Sequence, residues 1–376
     1  MPRLCAAFIG IYCGNIARGY CIEGGYRVKI ILSRRSAGHE ETMTIEKKRT
    51  LTSVALFIGI FAGLAAVATF FDMEISRILT ARSLSAGDFY TDNVYANVFE
   101  AVGMFPRYAM PAFATIILMW AFGKSTLPRV LRVVLFLGGY VYAVYLLSGA
   151  FRDLVEYPLA HVIAKYELFE HKDVYYPLKP YFYVIEYFFS AAFVTLGVYA
   201  TRKIPYKTWC KLVTFAIAVF VIRYLTGHTV SALKNYVDRV RFRTMNCAVG
   251  ESVGGFDAYT RWYEVTHNAD AFRATILTEY KDAFRSFPSG HTSNAGASYA
   301  LLLLIPALEI KDRRVKAALI VGPVLWTGLT AVSRIVAGAH FMSDVLFGGT
   351  IAFLYAIIVG EVLVCRLSHV RALFRK

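Results

Sequence analysis

Eight apolar stretches divide this chain, each approaching the ~20 residues needed to cross a bilayer core. They run over 51–71, 109–122, 130–147, 183–200, 212–225, 295–308, 317–332 and 345–364. Hydrophobic residues make up 57% of the 376, against roughly 45–50% in ordinary soluble domains. In lipid every backbone polar group must be paired internally, so such stretches become helices. The expected fold is therefore all-α, a polytopic membrane helix bundle of about eight spans.

The net charge of +15 invites a nucleic-acid reading, but its placement argues against one. Basic clusters fall between alternate spans: Lys124, Arg129 and Arg132; Arg202, Lys203, Lys207 and Lys211; Lys311, Arg313, Arg314 and Lys316. Others precede the first span (Lys47, Lys48, Arg49) and follow the last (Arg366, Arg371, Arg375, Lys376). Basic short loops stay cytoplasmic, so all five groups share that face and both termini lie inside. The charge is a topology signal, and it favours contact with anionic membrane lipids. No nucleic acid and no protein partner is read from it.

Residues 1–50 read as a basic, disordered cytoplasmic tail, with Met43 an alternative start. Residues 51–206 form an N-terminal transmembrane region, and 367–376 a basic cytoplasmic C-terminus. Cys5, Cys13 and Cys21 lack metal-ligand spacing, and the six cysteines define no disulfide framework.

Polar residues suited to phosphate chemistry collect in three places on the opposite, extracytoplasmic side. In "LKNYVDRVRF", 233–242, Lys234 and Arg241 share one face if the helix continues, and two such cations clamp an oxyanion. The plainer alternative is a snorkelling basic helix end. In "PSGH", 288–291, Pro288 suits a helix's first turn, leaving Ser289, Gly290 and His291 with unpaired N–H groups at an anion-binding terminus. An ordinary helix cap with an incidental histidine is the alternative there. In "SRIVAGAHFMSD", 333–344, His340 and Asp344 stand at i and i+4, one face of a helix. The carboxylate can fix the imidazole tautomer while Arg334 offers a planar fork to phosphate. A His–Asp pair that merely caps a helix is the alternative.

Together the three resemble the signature of the type-2 phosphatidic acid phosphatase superfamily: K-x6-R-P, P-S-G-H and S-R-x5-H-x3-D. The matching residues are Lys234…Arg241, Pro288-Ser289-Gly290-His291 and Ser333-Arg334…His340…Asp344, with Phe242 in place of the usual proline. The resemblance covers about 207–366, a phosphatidic acid phosphatase-like catalytic core. It implies a six-helix core, the additional pair being either an elaboration or an overcount, and a metal-independent lipid phosphate phosphatase needing no cofactor. It further implies that His340 is the nucleophile forming a phosphohistidine, that Asp344 orients it, and that His291 protonates the leaving group. Lys234, Arg241, Ser289, Gly290 and Arg334 would bind the phosphoryl oxygens. Loss of the proline is expected to loosen Arg241.

The implied substrate is a lipid phosphate or diphosphate: phosphatidate, phosphatidylglycerol phosphate, undecaprenyl diphosphate or a lipid A-type phosphate. Two other functions fit the same residues, a lipid phosphotransferase using the same phosphohistidine and a transporter or binding protein with a degenerate site. Transporters place ionisable residues near the bilayer midplane, whereas here they gather at one surface. An extracytoplasmic insert, 270–285, repeats Phe272, Ile276, Tyr280 and Phe284 every fourth residue, as an interfacial helix would. Packing of that stripe against the protein's own loops is the other reading. Arg261, in 259–265, is a candidate for head-group contact.

Overall fold

The computed structural model describes residues 36–166, 171–247, 254–265 and 282–366. Its long helices are α1 (Ser36–Thr80), α3 (Phe105–Gly123), α4 (Arg129–Tyr166), α5 (His171–Thr201), α6 (Tyr206–Val237), α10 (Arg313–Val336) and α11 (Met342–Val359). Shorter ones are α2 (Val94–Val102), α7 (Phe242–Asn246), α8 (Gly290–Ala295) and α9 (Leu304–Ala307). No strand occurs among the described residues. Seven described helical stretches are long and apolar enough to cross a membrane. This is a multi-pass, all-α membrane bundle.

The sixth expected span, 295–308, is present but segmented. α8 passes into a 3-10 stretch, Gly296–Leu303, and then into α9. It lies inside the bundle, where Tyr299, Ala300, Leu302 and Leu303 join the main core with residues of α3, α6 and α11. Protein rather than lipid surrounds it, which is where irregular backbone at membrane depth is tolerated. The outer helices show the reverse. Phe70 on α1, Val130 on α4 and Val184 on α5 are 74%, 75% and 70% exposed, and such surfaces belong in hydrocarbon. Of the expected N-terminal tail, 1–35 lie outside the described residues. From Ser36 the backbone is helical and continuous with the first span.

The two ends of the bundle differ in character. At one, Lys124 donates to the carbonyls of Arg202 and Ile204 at 3.3 and 3.0 Å. Lys211 pairs with Glu309 at 3.1 Å. The basic loops thus share one end. The C-terminus of α6, the start of α8 and the α10–α11 turn meet at the other.

Candidate active site

Helix α6 stops at Val237 because Asp238 adopts the left-handed conformation, φ 50° and ψ 40°, which Asp tolerates better than most residues. Arg241 therefore does not sit on α6, and the expected shared helical face with Lys234 does not exist. The two cations meet by a different route. The chain turns into an extended stretch and re-enters a helix at Phe242. The Arg241 N–H donates to the Ala283 carbonyl at 2.9 Å, and its Nε donates to the Asp282 carbonyl at 2.7 Å. Its Nη2 reaches the Arg285 carbonyl at 3.4 Å, the oxygen to which Lys234 Nζ also donates. The Arg241 guanidinium holds the Asp282 carboxyl below its usual range.

Phe242 takes the position where the resemblance has proline. It is 4% exposed and packs with Met73, Leu84, Val240 and Phe341, so burial does the anchoring that proline would do by stiffness.

The second motif begins one step later than its sequence implies. Pro288 lies outside the helix, Ser289 is the N-cap and Gly290 is the first helical residue. The Ser289 hydroxyl oxygen accepts from the Thr292 N–H at 3.3 Å and from the Thr292 hydroxyl at 3.0 Å. Its own proton is left to donate. His291 packs edge-on against Tyr157 at 5.7 Å between ring centroids, and its Nε2 is buried with no hydrogen-bond partner. Burial first, and then the Arg334 charge, push the His291 imidazole well below its usual pKa.

In the third motif, α10 ends at Val336 and the chain reverses through Gly338, φ 63°. The Arg334 carbonyl accepts the N–H groups of Ala339 and His340 at 3.1 and 3.2 Å. His340 thus precedes α11 and shares no helical face with Asp344, contrary to expectation. The pair meets because Asp344, in the first turn of α11, folds back over the helix start. Its Oδ2 accepts the Phe341 N–H at 2.8 Å and lies 3.5 Å from His340 Nδ1. Burial pushes the fully enclosed His340 imidazole down to about 3, which disfavours its cationic form, and at 3.5 Å its Nδ1 makes no hydrogen bond.

The motifs are tied to one another through backbone. The Ser289 N–H donates to the Asp344 carbonyl at 2.8 Å. A methyl group added at Gly348 would lie 2.5 Å from the Ser289 carbonyl oxygen, so only glycine allows α11 to approach this closely. Lys234 Cε lies 3.5 Å from the position of a Cβ at Gly290, which brings the first motif onto the second.

The structure adds residues that sequence reasoning missed. Arg239 is fully buried and bridges Asp344 at 2.7 Å to Asp72 at 3.1 Å. Its Nη1 also donates to the Ser343 hydroxyl at 2.7 Å. Ser286 donates to Asp344 Oδ2 at 2.5 Å. Glu100, on α2, accepts from Arg334 Nη2 at 3.0 Å, while Arg334 Nε and Nη1 are buried without partners. A weak signal existed. Asp72 directly follows an apolar run, and a carboxylate carried inside needs a cation. Arg239 lies within the quoted first motif.

The loop that carries Arg261 packs against the site, where Arg239 Nε donates to the Thr260 carbonyl at 2.9 Å. Arg261 is engaged locally, with the Tyr263 hydroxyl at 2.8 Å. Phe272, Ile276 and Tyr280 of the insert, with most of 270–285, lie outside the described residues. Phe284 is described, and it is buried in the cluster around Phe242.

Comparison with known proteins points to the same region of the chain. Residues 215–364 match the model of the PAP2 superfamily. That part of the chain is similar to the PAP2 superfamily. Every residue of the three motifs lies within the PAP2 match, whereas Asp72 and Glu100 lie upstream of it. A lipid A 1-phosphatase of Rhizobium etli is 41% identical over 81 residues, which are 20% of this chain and 30% of that protein. One from Rhizobium johnstonii is 40% identical over 81 residues, 20% of this chain and 29% of its own length. The match thus spans less than a third of either curated relative. No solved structure matches the chain significantly.

Proposed function

We propose that this protein is an integral membrane phosphatase that hydrolyses a phosphate monoester or diphosphate on a lipid head group. One observation carries the reading. Buried donors without partners, Arg334 Nε and Nη1 with His291 Nε2, belong to the same converging motifs as Lys234, Arg241 and His340. Buried polar groups are rarely left unmet in a folded protein, and a tetrahedral oxyanion accepts from all of them.

The chemistry follows from the arrangement. The neutral His340 carries its proton on Nδ1, facing Asp344, and attacks phosphorus through Nε2. The phosphorus–oxygen bond to the lipid breaks as the phosphorus–nitrogen bond forms, and His291 gives its proton to the departing oxygen. Water then yields a proton to His291 and displaces phosphate from His340. Asp344 stabilises the cationic imidazole during both steps. Lys234, Arg241, Arg334, the Ser289 hydroxyl and the Gly290 N–H hold the equatorial oxygens, where phosphoryl transfer gathers charge. An entering phosphate dianion also offsets the Arg334 field on His291 and lets that imidazole take up the proton it must deliver. Fixed cations supply the charge stabilisation, so the reaction needs no metal.

Residues 207–366 would form the catalytic core, with 51–206 contributing Asp72 and Glu100. The basic loops favour an extracytoplasmic site with cytoplasmic termini. The relatives' activity on lipid A favours hydrolysis over phosphotransfer and makes a lipid A-type phosphate the first substrate to test.

The test is phosphate release by detergent-purified protein from lipid A, phosphatidate, phosphatidylglycerol phosphate and undecaprenyl diphosphate, with and without chelator. Chelator-insensitive release is expected from wild type. His340→Ala should abolish it, and His291→Ala should lower kcat by about 10²–10⁴-fold. Release by His340→Ala at the wild-type rate removes the assigned nucleophile.

A further inference from the structure

We propose that Arg243, which lies outside all three motifs, is a further phosphate-binding residue of this site. The proposal rests on the phosphatase reading above and deepens it.

Position comes first. Arg243 sits on α7, and its N–H donates to the Gly338 carbonyl at 2.8 Å. A Cβ on Gly338 would lie 3.4 Å from the Arg243 Cβ. Gly338 belongs to the turn joining Arg334 to His340, so Arg243 is packed directly against the third motif. Arg243 is also the like charge that acts most strongly on Arg241, and it acts on Arg334 as well. Three guanidinium groups thus crowd one corner of the site.

Charge balance is the second observation. Arg243 is 7% exposed, its Nε is buried without a hydrogen-bond partner, and it makes no ion pair among the described residues. The nearby carboxylates are engaged elsewhere, Glu100 with Arg334 at 3.0 Å and Asp282 with Arg241 at 3.8 Å. With Arg239 held between Asp72 and Asp344, the cations Lys234, Arg239, Arg241, Arg243 and Arg334 face the carboxylates of Asp72, Glu100, Asp282 and Asp344, an excess of positive charge. Buried unpaired charge is costly, and a phosphate dianion offsets that excess. The guanidinium lies over Phe89 at 4.3 Å and near Tyr90 at 5.7 Å. These rings hold its orientation through cation–π attraction but accept nothing from Nε. A purely structural arginine gains nothing from keeping that donor unpaired, whereas a ligand-binding one keeps it for the ligand.

The experiment measures inorganic phosphate binding to the full chain in detergent, by calorimetry, for wild type, Arg243→Gln and Arg243→Lys. Melting temperature is recorded with and without phosphate. Arg243→Gln should weaken phosphate binding at least tenfold and shrink the stabilisation that phosphate confers. Without phosphate it should melt no lower than wild type, because an unpaired buried charge has been removed. Arg243→Lys should fall between. Unchanged phosphate affinity in Arg243→Gln, or a lowered phosphate-free melting temperature with affinity intact, overturns the proposal in favour of a structural arginine. Should Arg243→Gln fail to fold, unchanged affinity in Arg243→Lys overturns it equally. Wild-type protein that binds no phosphate would instead sink the phosphatase reading itself.

Discussion

Arg239 and Asp344 meet at 2.7 Å with neither side chain exposed, and Asp72 closes the arginine from the other side at 3.1 Å. The carboxylate behind His340 is therefore anchored by a cation that the first span helps to hold. Removing one partner of such a group leaves buried charge uncompensated, typically at about 3–5 kcal/mol. Arg239→Met should lower the melting temperature in detergent sharply and remove activity with it. Asp72→Asn, which keeps the shape but not the charge, should lose less of both. An Arg239→Met protein as stable as wild type would contradict this anchoring.

Glu100 bears on Arg334 in the same manner, through a 3.0 Å contact to one nitrogen that leaves two others unpartnered. Glu100→Gln retains an acceptor but releases the charge. A hydrogen bond to a charged group contributes about 1.5–3 kcal/mol, so kcat/KM should fall roughly ten- to a hundredfold. The fold should survive. Steady-state kinetics alongside a thermal melt separates these outcomes, and undiminished kcat/KM would remove Glu100 from the site.

Gly348→Ala tests how closely α11 must approach the second motif. The added methyl group would meet the Ser289 carbonyl oxygen at 2.5 Å, and that atom is backbone in a bonded turn. Overpacking of this kind costs about 1–3 kcal/mol. Displacing Ser289 should also weaken phosphate affinity. Gly349→Ala is the control, since its nearest neighbours are side-chain methyl groups at 3.5 and 3.6 Å. Equal behaviour of the two variants would count against the close approach.

The pH dependence of stability carries a definite sign. Burial holds both His291 and His340 below the ordinary histidine value of 6.5, His340 at about 3. Between those limits the unfolded chain binds more protons than the folded one, so stability falls as pH is lowered from about 6.5. Melting temperatures from pH 7 to pH 4 should therefore decline, and His340→Gln should flatten the slope. Phosphate binding should be accompanied by proton uptake, read from calorimetry in buffers of different ionisation enthalpy. An unaltered slope in His340→Gln would argue against a buried neutral imidazole.

The order and chemical type of the motif residues were legible from the chain alone, because holding and transferring a phosphoryl group demands cations, a proton donor and a nucleophile. Hydropathy likewise announced a membrane bundle, since lipid leaves an apolar segment little choice but helix. Helical spacing misled where helices end. Lys234 and Arg241 are separated by the left-handed Asp238, and His340 stops short of the helix that carries Asp344. Their convergence comes from long-range contacts, with Arg285 serving the first pair and the turn after α10 the second. Tertiary structure selected Glu100 and Arg243, and it turned the weak signals at Asp72 and Arg239 into a definite pair. Partners of a buried charge are chosen by distance in space, and Arg239 finds Asp72 across a separation of 167 residues that no local pattern records.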